Sequence, residues 1–191
     1  MTKKEIIWRE IMYQSLERRV FKFTQKDLAK KFGFSVSTVF NALKVPRQTG
    51  AIKVTGRFFE VVDQEKLLTI WATFRHLAKE IIYQTRVSLP PASIVGQLPN
   101  DVILGGYVAY QRRFGPAPAD FDKVHVYSKN LAEIKKRFPF QKGTSNLIVV
   151  KPDDYLLSYN QLPLSQLYVD LWNFKDWQAK DFLESLKKKI F

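Results

Sequence analysis

FTQKDLAKKFGFSVSTVFNALKVPRQTGAIKVTGRFFEVVD, residues 23–63, contains two helix starts, one helix stop and one hairpin. Thr24 followed three residues later by Asp27 has the pattern of a capping box, which predicts a short helix through Leu28, Ala29 and Phe32. Gly33 ends it, because glycine takes the left-handed conformation beyond a helix without a Cβ penalty. Ser35 or Ser37 then caps a further helix carrying Val36, Val39, Phe40 and Leu43, all four expected in the core. Two short helices joined by a glycine-containing turn form a helix-turn-helix. Residues 51–55 and 58–63 are β-rich runs on either side of Gly56-Arg57, a hairpin with a basic tip. Upstream, Ile7, Ile11 and Leu16 recur at helical spacing beside Trp8 and Met12, giving an amphipathic first helix between Lys4 and Arg18.

Three helices and a hairpin in that order resemble the winged helix-turn-helix family over residues 4–63. The resemblance implies a domain at 1–63 that binds double-stranded DNA with its third helix in the major groove. The reading face is then Ser35, Ser37, Thr38, Asn41 and Lys44. Asn41 suits bidentate pairing with adenine, and the hydroxyls suit bases or phosphates. Arg47, Gln48, Lys53 and Arg57 fall to the backbone or the minor groove beside it. The alternative is that these residues cap helices and solvate a surface, and that the module binds protein.

Charge agrees with a polyanionic partner. The 191 residues hold 31 Lys and Arg against 18 Asp and Glu, a formal net charge of +13, and nucleic acid is the commonest partner of so basic a chain. Residues 1–62 carry 13 of those cations against 5 acids, so the charge is densest there. With no cysteine and only His76 and His125, disulfide scaffolds, thiolate chemistry and histidine-built zinc sites drop out. No apolar run approaches the roughly 20 residues of a membrane span, and MTKKEIIWRE lacks a secretory h-region. The expectation is a soluble cytoplasmic protein with no membrane partner.

Asp63 caps an expected long helix over residues 64–85. Its apolar members Leu67, Leu68, Ile70, Trp71, Phe74, Leu77, Ala78, Ile81 and Ile82 form a wide stripe that must be buried. Burial within the chain and burial in a homodimer both satisfy it, and a two-fold operator favours a two-fold reader. Leu89-Pro90-Pro91-Ala92-Ser93 closes the helix. Residues 64–88 thus read as a linking helix between the domain at 1–63 and a second at 89–191.

The last hundred residues alternate strand-like runs (102–104, 123–127, 147–150, 155–159) with helical ones (107–114, 131–138, 164–173, 176–190), and Asn130 with Glu133 repeats the capping pattern. The fold class expected there is α/β, a mixed sheet covered by helices, and α+β for the whole chain. Val102-Ile103-Leu104-Gly105-Gly106-Tyr107, with Asp120-Phe121-Asp122 beyond it, resembles the signature of the nucleotidyltransferase superfamily. That resemblance implies Gly105 and Gly106 against a nucleoside triphosphate, and Asp120 and Asp122 on one strand face holding Mg²⁺. Tyr107 stands where the family has a hydroxyl residue after the glycines, and residues 147–150 supply no third acid. The expectation is therefore an inactive copy of that fold with no cofactor. Mg²⁺-dependent nucleotidyl transfer to nucleic acid or protein is the alternative, and a protein-interaction adaptor a further one.

A winged helix followed by such a domain is similar to AbiEi-type antitoxins. The segments that carry the similarity are ILGGYVAYQRRFG, Val124-His125-Val126-Tyr127 and LPLSQLYVDLWNFKDWQAKDFLESL. It implies autoregulation through operator DNA and a nucleotidyltransferase toxin as partner. In the closing segment Gln166, Tyr168, Asp170 and Trp172 form one candidate surface, while Leu167, Leu171, Trp172 and Phe182 are read as core. His125, between two valines of a strand, reads as structural.

Overall fold

A computed structural model describes all 191 residues as a mixed α/β chain with two sheets. Two compact units divide it: Met1–Arg75 with Pro163–Val169 and Ile190–Phe191, and His76–Leu162 with Asp170–Lys189. No helix is long and apolar enough to cross a membrane.

The first unit begins with α1 (Lys3–Glu17), opened by a capping box in which Thr2 and Glu5 satisfy each other's backbone N–H. Then come β1 (Lys22–Thr24), α2 (Gln25–Phe32), α3 (Val36–Gln48), β2 (Ile52–Thr55), β3 (Phe58–Val61) and α4 (Gln64–Phe74). Thr24 accepts from the Asp27 N–H at 3.0 Å to start α2, and Gly33 at φ 63° stops it. Strand order is β1-β3-β2, antiparallel throughout. In β3, Phe59 and Val61 face the core while Phe58 is exposed and Glu60 half-buried, the period-2 pattern of a sheet with one wet face.

α1 docks on α3 through a defect. Pro46 lies inside α3 and has no N–H to give the Ala42 carbonyl, so the buried indole of Trp8 donates to that oxygen at 2.9 Å. Nearby, the buried Glu10 carboxylate accepts from Gln14 at 2.8 Å and pairs with Lys31 of α2. Glu17 accepts from the Leu164 N–H at 2.8 Å, tying the first turn of α8 (Leu164–Asn173) to the end of α1.

The single helix expected over residues 64–85 is not formed. α4 ends at Phe74, a 3₁₀ turn covers Leu77–Glu80, and Ile81–Thr85 is a strand, β4. No Gly or Pro marks the break. The β-branched and aromatic residues Ile81, Ile82, Tyr83 and Thr85 instead add to a sheet edge, where such side chains pack well. Of the expected stripe in α4, Leu67, Leu68 and Trp71 are buried by the chain itself, whereas Ile70 is half-buried and Phe74 is 41% exposed.

The second unit is a four-stranded sheet ordered β4-β7-β6-β5, with β5 at Ile103–Gly105, β6 at Val124–Tyr127 and β7 at Leu147–Val150. β6 and β7 are parallel, and the two edge strands run antiparallel to them. On one face Val124, Val126, Leu147 and Val149 pack with Ile94 of α5 (Pro91–Gly96), Val108 of α6 (Gly106–Phe114) and Ile134 of α7 (Leu131–Arg137). The other face carries His125, Tyr127, Ile148 and Val150, also buried. The strand expected at 155–159 is a 3₁₀ turn at Leu156–Ser158, led by Asp153, whose carboxylate accepts from the Tyr155 N–H at 3.1 Å. α9 (Gln178–Ile190) closes the chain.

Candidate nucleic-acid interface

α3 is held from below by one stripe, Val39, Ala42, Leu43 and Pro46, the i, i+3, i+4, i+7 pattern of a half-buried helix. The opposite side is open. Ser37, Asn41, Lys44 and Gln48 follow one another up it, all exposed, with Arg47 beside them in the last turn. Ser35 is occupied as N-cap: it accepts from the Thr38 N–H at 3.2 Å, and its hydroxyl lies 2.9 Å from those of Ser37 and Thr38. These three hydroxyls therefore present a small joined network at the start of the helix, and Thr38 is half-buried within it.

Val36 and Phe40, expected in the core, are 51% and 44% exposed. The quartet 36, 39, 40, 43 has the same spacing as the buried stripe, but the buried arc is rotated about 60° from it toward Ala42 and Pro46, which leaves Val36 and Phe40 at its edge. Lys44 stands over the Phe40 ring at 5.6 Å.

The hairpin turns at Gly56, whose φ of 58° at the first loop position is what a type II′ connection requires. Arg57 is exposed at its tip. Lys53 on β2 and Lys22 on β1 flank Glu60 of β3 in register, with the Lys22–Glu60 pair at 3.8 Å. Lys53 is thus the one cation of the predicted set with an acid across the sheet from it. A wider signal surrounds this set in the sequence: residues 28–59 contain six Lys or Arg and no Asp or Glu. Both α3 and the hairpin tip lie inside that acid-free run.

The second predicted site has a different geometry. Gly105 ends β5, and Gly106 opens α6 at φ 52°, but a Cβ on Gly106 would sit 2.8 Å from the Phe174 ring and 3.1 Å from His125 Nδ1. The corner is filled. Tyr107 packs against Phe182 at 4.6 Å, Phe174 at 5.3 Å and Phe121 at 5.5 Å, and its hydroxyl donates to Asp176 at 3.2 Å. Asp176 also pairs with Lys123. Burial first, then the Asp176 carboxylate, pushes the Tyr107 phenol well above its ordinary range.

Asp120 and Asp122 do not share a strand face, because β6 starts at Val124. They lie exposed in the preceding loop, on either side of Phe121, whose ring joins the aromatic cluster. No three His, Asp or Glu residues converge as a metal-holding group. The residues present do not fit a two-carboxylate Mg²⁺ site with a nucleotide above the glycines.

His125 is 8% exposed and stacked on Phe174 at 4.1 Å, with Nδ1 making no hydrogen bond. Burial lowers its pKa to about 3, the nearby Asp176 opposing only in part, so the imidazole is neutral. In the closing segment Gln166, Tyr168 and Asp170 are buried, the last accepting from the Tyr127 hydroxyl, so they form no surface. Trp172, read as core, is 40% exposed.

No family model, no curated protein and no solved structure matches the chain.

Proposed function

We propose that this chain is a sequence-specific regulator that binds double-stranded DNA, with α3 as the reading helix and the 52–61 hairpin as a wing beside it. One observation carries the reading: α3 is buried on one stripe and presents Ser37, Asn41, Lys44 and Gln48 to solvent from the other, inside a run of 32 residues with no acid. A helix so held can lie in a major groove about 12 Å wide without unpacking. Asn41 pairs with a base edge, Lys44, Arg47 and Arg57 neutralise phosphates, and the hydroxyl cluster at Ser35, Ser37 and Thr38 contacts the backbone or a base. The order of helices and hairpin supports the winged helix-turn-helix reading, and the mixed sheet that follows it in the sequence supports an inactive nucleotidyltransferase-like unit of the AbiEi antitoxin type. Within that reading the operon's own promoter is the target, a toxin protein is the second partner, and a homodimer matches a two-fold operator.

Selection from a randomised duplex pool, followed by salt titration of the winning and random sequences, tests this. An enriched site should be bound about a thousandfold more tightly than random duplex. Asn41→Ala should lose roughly 5- to 150-fold discrimination at one base pair, about 1–3 kcal/mol. Arg57→Ala should weaken every duplex alike and flatten the log–log salt slope by about 0.9. If both variants bind as the wild type does, α3 and the hairpin are not the interface.

A further inference from the structure

We propose that Val36 and Phe40 recognise thymine, covering its 5-methyl group in the major groove while the polar residues beside them read hydrogen-bonding edges. The inference rests on α3 being the reading helix. Both side chains lie one turn apart along a single edge of the open face, the i, i+4 relation that makes neighbours on a helix. Neither is needed below: the stripe of Val39, Ala42, Leu43 and Pro46 already closes the contact with α1 and α2. Half of each side chain is nevertheless left in water, 51% for Val36 and 44% for Phe40.

What covers them is narrowed by charge. Ser37, Asn41 and Lys44 lie on one flank of Phe40, with the Lys44 ammonium 5.6 Å from its ring centre, and Arg47 follows two turns on. A second copy of this face would bring Lys44 and Arg47 against their own counterparts across a two-fold axis, a like-charge contact with no acid in residues 28–59 to relieve it. A polyanion with apolar marks on it removes the conflict. In a DNA major groove the thymine methyl is the one apolar group among base-edge donors and acceptors, and Phe is among the side chains that contact it.

Deoxyuridine removes the methyl and leaves the hydrogen-bonding edge unchanged, so the test replaces each thymine of the selected site in turn. The full-length wild type should bind three- to fivefold more weakly at one or two of these positions, the effect of uncovering about one methyl group. Phe40→Ala or Val36→Ala should bind the thymine site more weakly and show no further loss with deoxyuridine at the matching position. Phe40→Leu, which keeps an apolar cover, should retain part of the discrimination. Because both side chains are exposed, thermal melting of the variants should match that of the wild type. An enriched site bound equally with thymine and deoxyuridine, or a penalty that persists in both alanine variants, overturns the inference and leaves α3 as reader. A pool with no enriched sequence overturns the reading helix itself and this inference with it.

Discussion

Helix α3 and the start of α6 are both places where the sequence puts the residues of a nucleic-acid or nucleotide site, and they are built in opposite ways. On α3 the polar residues stay at the surface, because a separate stripe holds the helix down. At α6 the glycines, the tyrosine and the Asp-Phe-Asp triplet are absorbed by packing. Gly106 makes room for Phe174, Tyr107 is enclosed by three phenylalanines, and Phe121 turns inward while its two acidic neighbours stay in water. A motif names residues, whereas the availability of those residues depends on what else needs them. The first unit leaves its candidate group available, and the second has already used its own.

The largest effect expected from this contrast is at Gly106. Gly106→Ala forces a Cβ to within 2.8 Å of the Phe174 ring at a φ of 52°. Strain and overpacking together should lower stability by about 2–4 kcal/mol, read from urea unfolding. Phe174→Ala in the same chain should relieve the overpacking and leave the backbone strain, so the two changes should be strongly non-additive. A Gly106→Ala variant as stable as the wild type would mean that the corner is open, and the contrast with α3 would disappear.

A smaller effect should appear with pH. His125 is held neutral down to about pH 3 in the folded chain, against an ordinary value of 6.5. Below pH 6.5 the unfolded chain takes up a proton that the folded chain refuses, so stability is lost as pH falls. The loss between pH 7 and pH 5 should be about 2 kcal/mol. His125→Gln should flatten that slope in urea unfolding at pH 7, 6 and 5. Equal slopes in the two proteins would place the imidazole in water and loosen the filled corner around it.

The features legible in the sequence are those set within a few residues. Thr24, Ser35, Asp63 and Asn130 each accept the backbone N–H three residues on, as their spacing foretells. Gly33 and Gly56 take positive φ where a helix end and a tight hairpin need it. The features that were hidden depend on distant partners. Nothing local stops the helical pattern at Phe74, and only pairing with β7 makes Ile81–Thr85 a strand. Three-residue β1 is likewise defined by β3 alone. Val36 and Phe40 could not be separated from Val39 and Leu43 by hydrophobicity, because the residues marking the buried centre of α3 are an alanine and a proline. Pro46 in the last turn of α3 makes sense only once Trp8, 38 positions earlier, supplies the missing donor.

The smallest effect should be at Asp120 and Asp122, and its smallness is informative. Both acids are exposed, and neither shares a strand face or a third acid. Exposed substitutions away from caps and networks usually change stability by less than about 0.5 kcal/mol. The Asp120→Ala, Asp122→Ala double variant should therefore unfold at the wild-type urea midpoint and bind the selected duplex with wild-type discrimination. The same double variant is also the sharpest control on chemistry. If the wild type incorporates labelled nucleotide in the presence of Mg²⁺ and the variant does not, the exposed loop is a working site that gathers only with substrate. The filled corner behind it would then be a support for that site, as the stripe under α3 is for the reading face. If neither protein incorporates nucleotide, the acids are the solvated flanks of Phe121, and the Asp-Phe-Asp spacing reflects one inward ring between two outward charges.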